Sequence, residues 1–345
     1  MDQGTLLIRA DATLAIGTGH VMRCLALAQA WQERGGVASL ATAELPRALV
    51  SRLTAEKLLI QRIVAAPGGP EDAQETITHA QKIGAAWIVV DGDHFGSGFL
   101  ERICGSSFRV LVMDDFAGRD SYPVDLVVNP NLDEDEECYR RRGTNAKICM
   151  GPSYILLRRE FRLMSAEREL PPVAHRVLVT MGGSDPDHLT NRIVAAIAES
   201  PDMEVTAVAG AAFDQLAELE ALRGNRVRVV ANADDMSALM QQSDLAIIAA
   251  GGTLWELLSA GCAVLSYSRN LVQTCVIETL SKRGIAVNLG ETGAFDAAQL
   301  VSRVHTLAAS REARERMATL GKRLVDGLGA PRVVEAMLQL GGDAR

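Results

Sequence analysis

Thr5-Leu6-Leu7-Ile8-Arg9, followed after a few residues by Gly17-Thr18-Gly19-His20-Val21-Met22-Arg23, is the stretch that decides how this chain is read. A short apolar run, a glycine-rich turn and then an amphipathic stretch from Val21 to Glu33 is the opening of a βα unit, its strand buried on both faces and its helix laid over it. The rhythm recurs along the chain. Further strands are predicted at Val37 to Ala41, Trp87 to Val90, Arg109 to Met113 and Asp125 to Val128, and in the second half at Arg176 to Met181, Glu204 to Ala209, Arg226 to Val230, Leu245 to Ala249 and Ala263 to Tyr267. Helices are expected over Glu71 to Ile83 and from near Asp187, Phe213, Met236, Thr253 and Thr274. Such alternation predicts an α/β fold with parallel sheets.

The chain has 345 residues, beyond the size at which one core usually stops growing, so two domains are expected. Leu163 to His175 breaks the rhythm with a polar run and the adjacent Pro171 and Pro172, and reads as a linker between an N-terminal domain (1–162) and a C-terminal domain (176–345). From Asp296 onward only helices are expected, the last packing back across the linker. The run Asp133 to Glu137, followed by Arg140-Arg141-Arg142, reads as a solvated loop or helix start.

The formal net charge of -8 repels phosphate backbones and anionic lipid, which argues against nucleic-acid and membrane-surface partners. No apolar stretch is long enough to span a bilayer and no leader pattern opens the chain, so a cytoplasmic location is expected. Cys24, Cys104, Cys138, Cys149, Cys262 and Cys275 are scattered without paired spacing, which favours reduced packing thiols over zinc or disulfides. Neither a P-loop nor a serine-hydrolase elbow appears.

Three glycine turns carry the candidate chemistry. Gly17 and Gly19 let the backbone pass close to a ligand, and His20 falls on the first turn of the following helix, with Arg23 on the same helical face. A positive helix end and a neighbouring cation both disfavour an imidazolium, so His20 is expected to be neutral and able to accept a proton. A capping histidine in a glycine turn is the plainer reading, and both stay open. Gly182-Gly183-Ser184-Asp185-Pro186 follows the first strand of the second half, with Asp185 expected as an N-cap and Pro186 as the first helical residue. Gly251-Gly252-Thr253-Leu254-Trp255-Glu256 follows the strand at Leu245. Both turns can cradle a diphosphate with main-chain N–H groups.

Thr253 and Glu256 have capping-box spacing, which makes Glu256 a cap; the functional alternative is a carboxylate on ribose hydroxyls. Asp11, Asp91, Asp93, Asp114 and Asp115 all fall at or just beyond strand ends. Sugar hydroxyls, a metal or simple turn capping would each account for them, and the lack of His/Asp clustering at ligand spacing disfavours the metal. His94 sits in the same kind of loop. Met236, Leu239 and Met240 fall at helical spacing, as core residues do.

Taken in order, Arg9-Ala10-Asp11, the Gly17 to Arg23 loop, Asp125 to Asn129, Gly151 to Arg158, the Gly182 turn and the Gly251 turn resemble the UDP-sugar hydrolase family of the pseudaminic acid pathway and its relatives in spore-coat polysaccharide synthesis. That family is similar in fold to the GT-B glycosyltransferases, including the one that adds N-acetylglucosamine during peptidoglycan assembly. The resemblance implies a GT-B architecture, two Rossmann-like domains with parallel sheets facing across a cleft. It implies UDP held by the C-terminal domain: Gly182, Gly183, Ser184, Gly251, Gly252 and Thr253 on the pyrophosphate, Glu256 on the ribose, and Ala233 to Met236 near the uracil. It also implies His20, with Arg23, as the base that activates water for inverting attack at the anomeric carbon, and Arg9, Asp11, Gly17, Gly19, Asp91, His94 and Gln273 on the sugar side. No cofactor and no metal are implied; the partner is a small UDP-sugar. The family's substrate is UDP-2,4-diacetamido-2,4,6-trideoxy-β-L-altropyranose. The chain departs from the family pattern where the sugar is read: Asp93 stands at a tyrosine position, Val272 replaces an asparagine beside Gln273, and Ala263 replaces a proline.

Overall fold

The computed structural model describes residues 3–13, 16–132, 135–164, 168–210, 212–233 and 235–342. Asp133 and Glu134 of the charge run, Glu167 of the expected linker and Asp234 of the expected uracil segment lie outside the described residues.

The chain divides into two compact units, residues 1–159 with 327–345, and residues 160–326. In the first, seven parallel strands form one sheet: β1 (Thr5–Ala10), β2 (Val37–Thr42), β3 (Leu59–Arg62), β4 (Ala85–Asp91), β5 (Arg109–Met113), β6 (Leu126–Asn129) and β7 (Lys147–Met150), in the order β3-β2-β1-β4-β5-β6-β7. Helices α1 (Gly19–Glu33), α2 (Arg47–Ala55), α3 (Pro70–Ile83), α4 (Ser97–Cys104) and the short α5 (Glu137–Arg140) belong to it. Alternate strand residues take opposite faces. Leu6 and Ile8 pack with Leu25, Trp31 and Val333 on one side, whereas Leu7, Ile88 and Val90 pack with Ala73, Phe99 and Ile103 on the other.

The second unit holds α6 (Arg159–Arg162) from its second residue on, then β8 (Arg176–Thr180), α7 (Leu189–Ala198), β9 (Glu204–Ala209), α8 (Leu216–Ala221), β10 (Val227–Ala231), α9 (Met236–Gln242), β11 (Leu245–Ala249), α10 (Gly252–Ser259), β12 (Ala263–Ser268), α11 (Leu271–Lys282), β13 (Val287–Glu291), α12 (Ala297–Ala309) and α13 (Arg311–Leu324). Its six parallel strands run β10-β9-β8-β11-β12-β13.

The expected strands are all present within one or two residues; β3, β7 and β13 were not expected. These are short edge or near-edge strands whose exposed residues, such as Leu59 and Glu291, blur the apolar signal. The expected domain limits need correction. Pro171 and Pro172 are tied to the second unit, their carbonyls accepting from the buried Arg314 guanidinium at 2.8 and 2.9 Å, and Ala174 is buried in its core. The last helix, α14 (Gly329–Gly342), belongs to the first unit. Its Ala330, Val333, Val334 and Met337 are fully buried in the cluster that contains α1, so the domain expected at 176–345 stops near 326.

Candidate functional site

Strand order reverses direction between β1 and β4, and loops leaving these neighbours at their carboxyl ends diverge to opposite faces of the sheet, leaving a crevice where open α/β sheets bind ligands. Ala10 is paired with Asp91 at that edge. His20 stands on the first turn of α1, reached from β1 through the turn at Gly17, whose φ of 75° favours glycine. No side chain caps α1.

His20 Nδ1 lies 2.7 Å from Asp91 Oδ1, so the carboxylate accepts a hydrogen bond from Nδ1–H and the Nε2 lone pair is left open on a ring that is 19% exposed. Asp91 is fully buried. Arg23 grips it with two bonds of 2.6 Å and is itself held by Asp115 at 2.7 and 3.0 Å, while Cys24 Sγ donates to Asp91 Oδ2 at 3.3 Å. Burial pushes the Asp91 carboxyl up, but the Arg23 and His20 charges and hydrogen bonds outweigh it and hold it far below the usual carboxylate range. Burial beside that carboxylate pushes the Cys24 thiol up, which makes it a neutral donor.

This corrects the expectation about His20. The helix end and Arg23 were expected to keep it neutral; the Asp91 charge outweighs both burial and Arg23, and raises its pKa above the ordinary value. Such an arrangement is chemically able to act as a base by a different route: a carboxylate on Nδ1 fixes the tautomer and stabilises the imidazolium once a proton arrives.

A second network crosses the first. Asp11, just past β1, meets His94, just past β4, with Nε2 to Oδ2 at 3.2 Å. Asp11 Oδ1 accepts from the Ala43 N–H at 2.7 Å, from Thr42 and from Arg9 Nη1 at 2.7 Å, and Arg9 forks onto Asp72 at 2.8 and 2.9 Å. Burial raises the Asp11 carboxyl, yet bonds from His94 and Arg9 hold it below the usual range. Arg9, Asp11 and Asp91 were expected to touch sugar. They are 0%, 2% and 0% exposed, with the Arg9 guanidinium on Asp72 and Asp11, Asp11 on His94, Arg9, Thr42 and Ala43, and Asp91 on His20, Arg23 and Cys24, an arrangement suited to positioning the histidines rather than to touching a ligand. Asp72 was not singled out, Asp115 was left among the strand-end carboxylates and Cys24 was expected only to pack; the partners of Asp115, Asp72 and Cys24 are 92, 63 and 67 residues away, and no local spacing encodes such pairings.

The His94 loop is itself braced. Arg119 donates to the carbonyls of Gly92 at 2.9 Å and Phe95 at 2.8 Å and pairs with Asp114, which also accepts from Tyr139 at 2.7 Å and Tyr122 at 3.0 Å. Asp114 is therefore a structural anchor, whereas Asp93 is exposed. Gly92 has a φ of 149°, and a Cβ there would stand 2.8 Å from the His94 ring.

In the second unit the reversal falls between β8 and β11, which are paired from Val177↔Leu245 to Thr180↔Ile248. That register brings Gly182-Gly183-Ser184 and Gly251-Gly252-Thr253 to the same edge of adjacent strands. Gly182 has a φ of 93°, and Ala212 N–H donates to Gly183 O at 2.8 Å. Gly210 packs so closely that a Cβ would lie 2.5 Å from Gly183 Cα. α7 starts at Leu189, not at Pro186. Asp185, with a φ of 46°, accepts from the N–H groups of Leu189 at 3.1 Å and Thr190 at 2.8 Å, so it caps the helix from across a longer turn.

α10 starts at Gly252 with Gly251 as its N-cap residue and no side-chain cap, so Thr253 lies inside the helix and the capping box is not formed. Its N-terminus presents main-chain N–H groups, with nothing within 4 Å of where a Cβ on Gly251 or Gly252 would be. Glu256, one turn on, is half-buried. Met236 opens α9 after β10, half-buried behind the Asp235 cap, while Leu239 and Met240 are core. Gln273 lies in the first turn of α11 after β12, its Oε1 accepting from Arg269 N at 2.9 Å.

No family model matches the chain. Over 236 residues it is 27% identical to the spore coat polysaccharide biosynthesis protein SpsG of Bacillus subtilis (strain 168), spanning 67% of this chain and 69% of that protein. It is 22% identical over 289 residues to the protein MJ1062 of Methanocaldococcus jannaschii, across 80% of this chain and 58% of that one. Among solved structures, spinosyn forosaminyltransferase SpnP superposes with a TM-score of 0.67 at 13% identity over 99% of this chain and all of the other. MurG of Acinetobacter baumannii gives 0.65 at 16% identity, over 97% and 99%. Spinosyn rhamnosyltransferase SpnG complexed with thymidine diphosphate gives 0.63 at 17%, over 98% and 100%. No helix among the described residues is long and apolar enough to cross a membrane. The chain is a distant relative of SpsG, and its two Rossmann-like parallel sheets have the GT-B fold.

Proposed function

We propose that the protein hydrolyses a UDP-linked deoxyamino sugar at the anomeric C1–O bond and releases UDP. The observation that carries this reading is the His20–Asp91 contact of 2.7 Å, which leaves an activated imidazole nitrogen open at the reversal point of the first sheet. Water gives its proton to His20 Nε2 as its oxygen bonds to C1 from the face opposite the diphosphate. The C1–O bond breaks with its electron pair passing to UDP, and the sugar leaves with inverted configuration. UDP is a good leaving group, so a positioned base and main-chain donors on the phosphates lower the barrier. The second domain is assigned the nucleotide: Gly182, Gly183, Ser184, Gly251, Gly252 and Thr253 on the diphosphate, Glu256 on the ribose, and Met236 near the base. The nucleoside diphosphate in the SpnG complex supports a nucleotide in this fold.

The test is UDP release from a panel of UDP-sugars without added acceptor, with His20→Ala alongside. Release that depends on His20 is the expected result. Release only once an acceptor sugar is supplied would instead make the protein a glycosyltransferase, the reading favoured by the names of the SpnP and SpnG structural neighbours. Glu256→Gln is expected to weaken UDP binding about tenfold in titration calorimetry, the loss of one charge-assisted hydrogen bond; unchanged affinity would remove Glu256 from the ribose.

A further inference from the structure

Arg23 lies between two carboxylates, and the way its hydrogens are shared bears on His20. Nε and one Nη2 hydrogen go to Asp91, at 2.6 Å each; Nη1 and the other Nη2 hydrogen go to Asp115, at 2.7 and 3.0 Å. Asp115 thus grips a second edge of the guanidinium with both of its oxygens. The same Nη2 stands 3.4 Å from His20 Nδ1. A hydrogen turned that way would need Nδ1 as an acceptor, the opposite of the Nδ1–H that faces Asp91. Nη2 has two hydrogens, each already met by a carboxylate oxygen, so none is left for the ring.

Charge points the same way. With His20 neutral, the cluster sets the carboxylates of Asp91 and Asp115 against the single guanidinium of Arg23, and a proton arriving on Nε2 brings it to neutrality. Without Asp115 the same proton would leave a net positive charge on a half-buried ring beside Arg23. The Asp91 charge, from β4, raises the His20 pKa most; burial and the Arg23 charge, from α1, lower it, and the Asp115 charge, from the loop after β5, raises it again. That loop is braced to hold Asp115 in place. Asp115 O accepts from Asn131 Nδ2 at 2.8 Å, and the neighbouring Asp114 accepts from the Ala117 N–H at 2.8 Å as well as from both tyrosines. Ala117 takes a φ of 48°, a left-handed conformation that is costly for a residue with a Cβ and persists only where its surroundings enforce it.

We propose that Asp115 is a positioning residue for the base: it takes the Arg23 hydrogens nearest His20 and supplies the negative charge that a protonated His20 balances. Nδ1 thereby stays a donor to Asp91, and Nε2 stays a strong acceptor for the proton of water. Asp115 acts through Arg23 and the local field rather than by touching the reacting atoms. This rests on the reading of His20 as the base of a hydrolase.

Two measurements test it. The first is the pH titration of His20 in the substrate-free protein, labelled at histidine nitrogen and with its signals assigned by His20→Asn. Asp115→Asn keeps the shape and removes the charge, and is expected to lower the His20 midpoint. Asp115→Ser is a second charge-removing variant with the same expected fall, and Asp115→Glu, which keeps the charge, should hold the midpoint near that of the wild type. The second is UDP release from the UDP-sugar of the panel that is turned over fastest. Asp115→Asn is expected to lose about tenfold in kcat, a part of what a positioned base contributes, with KM unchanged and the rising limb of the pH profile displaced to lower pH. A His20 midpoint equal to that of the wild type in Asp115→Asn and Asp115→Ser proteins that melt cooperatively overturns the proposal. So does a raised KM with the midpoint unmoved, which would put Asp115 on the substrate. Absence of release by the wild type refutes the hydrolase, and the substrate-free titration still decides whether Asp115 sets the state of His20.

Discussion

Asp91→Asn is the most informative single substitution. Each Asp91 oxygen has two donors to satisfy: Oδ1 accepts from His20 Nδ1 and Arg23 Nη2, and Oδ2 from Arg23 Nε and Cys24 Sγ. An asparagine keeps one oxygen and turns an N–H2 on the other pair. In either orientation it opposes one Arg23 N–H that cannot lose its proton, Nε on the side of Cys24 or Nη2 on the side of His20. Of the remaining partners, the His20 ring can turn its facing nitrogen into an acceptor by moving its proton to Nε2. The substitution is therefore expected to invert the His20 tautomer and remove the free Nε2, with Arg23 retained by Asp115. Catalysis should fall by roughly 10³- to 10⁴-fold in kcat, the scale of the same exchange in a serine-protease triad. A buried, imperfectly satisfied amide costs about 2 kcal/mol, which lowers the Tm of a domain this size by roughly 4–8 °C. UDP release, melting followed by circular dichroism and the imidazole nitrogen spectrum are the assays. A kcat within threefold of wild type in a folded Asp91→Asn protein, while His20→Ala is inactive, would show that Asp91 does not set the state of the base.

The raised pKa of His20 fixes the sign of two pH effects. The base must be unprotonated, so kcat/KM is expected to rise with pH through an apparent pKa above 6.5, the ordinary histidine value, and that limb should move to lower pH in Asp91→Asn. The stability that protonated His20 adds is complete below 6.5 and is lost as pH rises through the folded value; a melting series flat across that window would contradict the pairing. Asp91 works the other way: its depressed carboxyl contributes stability above 3.8 that is lost in stronger acid. Gly210→Ala places a methyl 2.5 Å from Gly183 Cα and is expected to shift the Gly182 turn, weakening UDP binding in calorimetry by more than it lowers Tm. Truncation after Asp326 removes Val333, Val334 and Met337, fully buried in the first domain. At roughly 1.5–3 kcal/mol each, about 5–9 kcal/mol is lost, comparable to a whole domain's stability. The truncated protein should be unfolded in the first domain; a cooperative melt there would refute the assignment of α14.

Local pattern was enough to place ten of the thirteen strands among the described residues, because strands buried on both faces are continuous apolar runs, and Leu6, Leu7 and Ile8 point to opposite sides yet are all fully buried. It also placed the three glycine turns, since backbone passing into a helix at close quarters leaves a local signature. The chemistry of the first site was only half legible. His20 stands out beside its glycines, but Asp91 is 71 residues away, and whether the imidazole is neutral depended on that partner rather than on the helix end and Arg23 beside it in sequence. Likewise the capping box expected at Thr253 did not form, because α10 begins at Gly252, one residue before the threonine that the pattern favoured. Strand order decided the rest: placing β4 beside β1 and β11 beside β8 is a property of the sheet as a whole. Charges converge on one edge only when distant segments pair, and no spacing along a single chain records which strand will be its neighbour.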